Sequence, residues 1–113
     1  MASSKEYLDF ILEQLSGLEE ISYRQMMGEF IIYYKGKIAG GIYDDRFLVK
    51  NIDSARRLMP DCSFEIPYDG AKEMLLVDNV DSRQFLTELF ETMYDELPAP
   101  KAKKNDYGFL KEA

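Results

Sequence analysis

Arg24, Tyr33, Tyr34 and Lys37 are the residues with which this chain could grip something, and they fall in one short stretch, SYRQMMGEFIIYYKGK, from Ser22 to Lys37. A guanidinium fork offers several donors to a carboxylate or phosphate, and phenol hydroxyls both donate and accept. Gathered in a cleft between a sheet and a helix, Arg24 and tyrosines would make a small-molecule site. Met26 and Met27 would add an adaptable apolar surface. Gly28 supplies a backbone angle that other residues avoid. Arg24, Met26, Met27, Gly28, Tyr33, Tyr34 and Lys37 therefore form the candidate surface for a partner or ligand. Plainer roles compete with these. Arg24 can pair with Glu19, Glu20 or Glu29 and fix the entry to a strand, since structural ion pairs outnumber anion sites. At least one of the two methionines can fill a core.

Other chemistry is scarce. The chain has no histidine and one cysteine, Cys62. A Cys/His zinc site, a Ser-His-Asp triad, a Cys-His pair and an internal disulfide are thereby excluded within one chain. Cys62 has only Arg56 and Arg57 nearby in sequence as basic neighbours, so it reads as a small half-buried residue rather than a reactive thiol. Asp44 and Asp45 are adjacent in a tight turn and point apart, which fits a solvated turn better than a metal or acid–base pair. No glycine-rich phosphate loop is present. The expectation is a protein that is not an enzyme, with no catalytic residue, cofactor or metal.

The formal net charge is −7. Residues 98–113 carry +2 and residues 1–97 carry −9. A domain this acidic is repelled by a phosphate backbone, so residues 1–97 are not expected to bind nucleic acid directly. Lys101, Lys103 and Lys104 read as part of a flexible, solubilising tail over 98–113, with Tyr107, Phe109 and Leu110 as docking residues within it. No stretch approaches the roughly 20 apolar residues of a membrane helix. The start, Met1-Ala-Ser-Ser-Lys-Glu6, lacks the apolar segment of a signal peptide. A cytoplasmic protein without membrane contact is expected.

The elements that must position these residues follow from periodicity. Ser3 to Leu15 reads as a helix: Ser3 and Glu6 fit a capping box, Leu8, Ile11, Leu12, Leu15 and Leu18 share one face, and Gly17 stands at its end. Tyr23 to Gly28 reads as a bend into a strand. Strands follow at Glu29–Tyr34, Lys37–Tyr43 and Arg46–Lys50, joined by Lys35-Gly36 and Asp44-Asp45, an antiparallel meander. Asn51 to Met59 is a short helix capped by Asn51 or Asp53 and stopped by Pro60. Ser63–Pro67 and Lys72–Asp78 are two more strands around Tyr68-Asp69-Gly70. Asp81 to Leu97 is the clearest helix, with Asp81 and Gln84 as a capping box, Val80 and Phe85 as a hydrophobic staple, and Phe85, Leu86, Leu89, Phe90, Met93 and Leu97 as its stripe. Segregated strands and helices make an α+β class: one domain over 1–97, with the N- and C-terminal helices on one face of an antiparallel sheet. Tyr33, Tyr34, Tyr43, Phe47 and Tyr68 give that sheet enough aromatic residues for an exposed interaction face.

Arg24-Gln-Met-Met-Gly28, the Tyr33-Tyr-Lys-Gly-Lys37 turn and the Arg46-Phe-Leu-Val-Lys50 strand, in this order, resemble the N-terminal domain of the TfoX/Sxy family. The resemblance spans residues 5–97. Met27 stands where that pattern has Phe, Glu29 where it has a second Gly, and Ile31 where it has Gly. The resemblance implies a regulatory or adaptor role through protein–protein contact. The family's best-known members act in natural competence and transcription with the cyclic-AMP receptor protein, and they carry a second, helical domain that this chain is expected to lack. A protein partner or a homodimer is therefore expected, with a ligand site around Arg24 and tyrosines as the alternative.

Overall fold

Alternation in one strand organises the whole sheet. In the computed structural model, which describes residues 4–99, Phe30, Ile32 and Tyr34 of β2 (Glu29–Tyr34) are buried while Glu29, Ile31 and Tyr33 are half-buried. Every second residue of a strand shares a face, so the even-numbered set points at the core.

Six strands form one antiparallel sheet in the order β1-β2-β3-β4-β6-β5. They are β1 (Ile21–Met26), β2, β3 (Lys37–Tyr43), β4 (Arg46–Val49), β5 (Phe64–Glu65) and β6 (Met74–Leu76). Three two-residue turns connect the first four strands. At each turn the first residue is left-handed: Met27 at φ 53°, Lys35 at 51° and Asp44 at 55°, followed by Gly28, Gly36 and Asp45 at 85°, 84° and 56°. Two successive left-handed residues match the right-handed twist of paired strands, which is why such turns close hairpins. The expected meander of three strands is thus a meander of four. Tyr23 to Gly28 is not a bend but most of the first strand and its turn. A register shift between Ile32 and Tyr33 lets Ala39 bulge from β3, and Ala39 is fully buried.

One face is covered by α1 (Lys5–Gln14) and α3 (Arg83–Met93). Leu8, Ile11 and Leu15 of the first, and Leu86, Leu89, Phe90 and Met93 of the second, are fully buried with Phe47, Ile42 and Leu75 of the sheet. Phe90 stacks at 5.9 Å from Tyr34 and 6.1 Å from Phe47, so one ring reaches two strands. The helices are joined to each other by Gln14 Nε2 donating to the Val80 carbonyl at 2.9 Å and by Arg83 to Glu13 at 2.6 Å.

Helix starts lie one residue beyond the expected ones. Ser4 caps α1, its hydroxyl accepting from Tyr7 N–H, and Ser82, not Asp81, caps α3 by accepting from Phe85 N–H. Ser3 itself lies outside the described residues. With Ser82 as the cap, Val80 and Phe85 no longer hold staple positions. α1 ends at Gln14 with Leu15 as its C-cap, within a residue of the expected end, but Gly17 is not the left-handed residue that closes it; a Cβ on Gly17 would stand 3.3 Å from Thr87 of α3. α3 gives way to a 3₁₀ turn at Tyr94–Glu96. α2 (Asp53–Leu58) is capped by neither Asn51 nor Asp53, which both bond to Arg56 instead. The tail expected over 98–113 lies outside the described residues apart from Pro98 and Ala99.

Candidate functional site

The β1–β2 hairpin holds the first part of the expected surface. Met27 is 98% exposed at the turn, with Met26 and Arg24 exposed behind it. Neither methionine fills the core. No salt bridge joins Arg24 to Glu19, Glu20 or Glu29 among the described residues. Arg24 pairs across the ladder with Ile31, and Ser22 with Tyr33, on the face away from the helices.

The second part does not join the first. Tyr34 is 4% exposed, wedged between Phe90 and Tyr94, and is a core residue rather than a surface one. Its parity with Phe30 and Ile32 puts it there. Lys37 donates to the Tyr94 carbonyl at 2.9 Å and lies 4.0 Å from the centre of that ring. Lys35 lies over the same ring at 5.3 Å. These lysines clamp the 3₁₀ turn to the sheet, about 17 Å from the Met27 turn at the strand's rise per residue. Arg24 and Lys37 therefore do not converge.

β1 is the outer strand of the sheet, with five of its six residues exposed. Lys35 N–H bonds to the Glu20 carbonyl at 3.0 Å. In an antiparallel ladder, backbone groups alternate between facing the neighbour and facing away. With Glu20 bonded inward, so are Ser22, Arg24 and Met26, and the N–H and C=O groups of Ile21, Tyr23 and Gln25 face outward. Beside this edge runs an open groove of about 500 Å³, where Leu12, Leu15 and Leu18 meet Ile21 and Tyr23. Tyr23 is 44% exposed, its ring edge-on to Phe30 at 6.0 Å.

A second feature lies on the face away from the helices. A cleft of about 370 Å³ is lined by Ile31, Ile38, Tyr43, Tyr68, Lys50 and Lys72 among others. Tyr43 folds back over Gly41, where a Cβ would stand 2.7 Å from its ring, and its ring lies 6.1 Å from that of Tyr68. Burial, then Tyr68, Glu29 and Tyr33, push the Tyr43 phenol above its ordinary value. It stays protonated near neutrality. The tyrosine cleft thus exists, but on the side opposite the helices and without Arg24. Only the strand pairing and the 66–73 loop bring Tyr43 and Tyr68 together, and their 25-residue separation hides that from the sequence.

The remaining candidates have structural roles. Asp45 accepts from Ser4 N–H at 2.8 Å, and Asp44 N–H donates to Glu29 at 3.2 Å, so the turn ties down the start of α1 and the first hairpin. Burial raises the Cys62 thiol above its ordinary value, opposite to what a reactive thiol needs. Among the described residues, no group of three or more Cys, Asp or Glu side chains is gathered as a metal ion would require. Among them too, no helix is long and apolar enough to cross a membrane.

Glu96 is a residue that sequence reasoning missed. Its carboxylate accepts from Asp53 N–H at 3.0 Å and Ser54 N–H at 2.8 Å, capping α2 from a turn more than forty residues away. The Ser54 N–H bond foremost holds Glu96 below the usual carboxylate range.

Comparison with known proteins finds a relative in Spirochaeta aurantia, described as an uncharacterized 12.7 kDa protein in the trpE 5′ region, 30% identical over 105 residues that cover 92% of this chain and 91% of that protein. No family model and no solved structure matches.

Proposed function

The chain belongs to one family with that Spirochaeta aurantia protein, and from this premise we propose that it is a non-enzymatic regulatory or adaptor domain that works by protein–protein contact. The observation that carries the reading is the outer edge of β1: outward backbone groups at Ile21, Tyr23 and Gln25, flanked by exposed Tyr23, Met26 and Met27. An unpaired edge is a template for another strand, and methionines adapt to varied partners. The resemblance to the N-terminal domain of TfoX/Sxy regulators supports the same reading, with cytoplasmic action on a partner rather than on DNA. The −9 charge of residues 1–97 argues against direct nucleic-acid binding. Affinity capture from the native host, comparing wild type with Met27→Glu, tests it. A partner held by the wild type and lost by the variant supports contact through the hairpin; capture of nothing above background contradicts it.

The cleft at Tyr43 and Tyr68 favours a second reading, a small-molecule module. Its Ile31 and Ile38, with Lys50, Lys72 and Glu73 lining the same cleft, suit a small, partly apolar molecule that carries polar groups. Metabolite screening by thermal shift tests this, and one robust, specific stabilisation lost in Tyr43→Phe would move it to first place.

A further inference from the structure

We propose that the partner at the β1 edge is a second copy of this chain, joined strand to strand about a two-fold axis through Tyr23. This rests on the contact reading above and names its occupant. Only Ile21, Tyr23 and Gln25 of β1 offer outward backbone groups, so three symmetric antiparallel registers, centred on Ser22, Tyr23 or Arg24, join more than one of them. Centred on Tyr23, all three residues pair: Tyr23 with Tyr23 of the second copy, and Ile21 with Gln25 in both directions. About six hydrogen bonds form, two per pair. Centring on Ser22 or on Arg24 leaves one edge residue of each copy unpaired, and about four bonds form.

Charge rules out one of the two lesser registers, and the count of backbone bonds rules out the other, since centring on Ser22 sets Arg24 directly against Glu20 of the second copy but leaves Gln25 unpaired. Centring on Arg24 sets Arg24 directly against Arg24 of the second copy, and like charges opposite each other oppose pairing. Centring on Tyr23 sets Arg24 against Ser22 of the second copy, with Glu20 of that copy one step along on the diagonal, within reach of a long side chain. Arg24 has no salt bridge among the described residues, and both it and Glu20 are exposed. The edge is therefore complementary to itself in charge, and it makes the most backbone bonds in the register centred on Tyr23. On the helix side the two Tyr23 rings meet, and each extends the cover of the groove at Leu12, Leu15 and Leu18. Within Ile21–Met26, β1 has no proline and no bulge to block such pairing, and its one charge is Arg24.

Disulfide trapping in the full chain distinguishes the registers. With Cys62 replaced by Ser, one population carries Ser22→Cys and another Arg24→Cys. Directly opposed residues that exchange no hydrogen bond have Cα atoms about 4.5 Å apart, within disulfide reach. Under mild oxidation the mixture is expected to cross-link and neither population alone. Cross-linking by either population alone, or none in the mixture, overturns the proposal. Sedimentation gives an independent reading on two exposed positions that leave folding intact. Arg24→Asp is expected to weaken the dimer about tenfold, and Ser22→Asp to tighten it several-fold. A dimer indifferent to both overturns the proposal. A strict monomer that still captures a different protein through β1 removes the second copy and leaves the contact reading standing. A monomer that captures nothing removes both.

Discussion

The two edges of the sheet are built on opposite plans. β5 ends one side with two residues, Phe64–Glu65. Arg46 reaches across from β4 to hold Glu65 at 2.7 Å, and it also approaches the Ile66 and Pro67 carbonyls at 3.5 Å. Pro67 follows after Ile66, and the chain turns away through Gly70 at φ 85°. That edge is short and charged, and it is closed by a residue with no N–H to offer. β1 ends the other side with six residues, five of them exposed. Among the described residues, no proline or short strand blunts it. The same chain thus makes one edge short and closes it with a proline, while the longer edge has neither device, and the contact proposed at β1 rests on that difference.

The largest expected effect falls on both edges together. Phe90 is fully buried against Tyr34 near one edge and Phe47 near the other. Phe90→Ala should cost about 3–5 kcal/mol in denaturant unfolding, with β1 and β5 losing protection as one unit. A loss confined to one half would show that the two edges are not carried by a common core.

Arg46→Ala should act on the closed edge alone. It removes an ion pair whose side chains are 30% exposed on each side, together with a bond to the Tyr43 carbonyl. A loss of about 1 kcal/mol is expected, with amide exchange accelerated at Phe64–Glu65 and unchanged in β1. Smaller still is a pH effect at the α2 start. Glu96 has a lowered pKa in the folded chain, so its contribution is fully present above its unfolded value and is lost as pH falls through its folded value. Acid titration of stability should show that loss in the wild type and lack it in Glu96→Gln. A variant with an unchanged acid limb would contradict the cap. At the open edge, Arg24→Asp should move stability by less than about 0.5 kcal/mol, because the side chain is exposed and holds no ion pair among the described residues. A larger loss would mean that Arg24 braces the fold.

The same contrast explains what the sequence could tell. Strands with one buried face were readable: Phe30, Ile32 and Tyr34 alternate, and Lys35-Gly36 and Asp44-Asp45 mark their turns. β1 was not, because Ser22-Tyr-Arg-Gln25 has no buried face to write an alternation, and it is held by the ladder with β2 instead. Met27-Gly28 is a hairpin turn with a poor first residue for left-handed geometry, so it read as a bend. Tyr33 and Tyr34, adjacent in a strand, must fall on opposite faces, but only the helices decide which of the two is buried. The starts of both long helices were legible to within a residue, since adjacent Ser3-Ser4 and Asp81-Ser82 offer rival caps, whereas the last turn of the second, expected to run to Leu97, is 3₁₀ from Tyr94. Glu96 capping α2 and Tyr43 meeting Tyr68 are contacts across the fold, and no local pattern announces them.

Amide exchange along β1 tests the central claim most directly. Ser22, Arg24 and Met26 should be protected by β2 at every concentration. Ile21, Tyr23 and Gln25 should exchange freely in dilute solution and become protected as concentration rises, in an alternating pattern that only edge pairing produces. Outward amides that stay unprotected at high concentration and in the presence of captured partners would contradict the account.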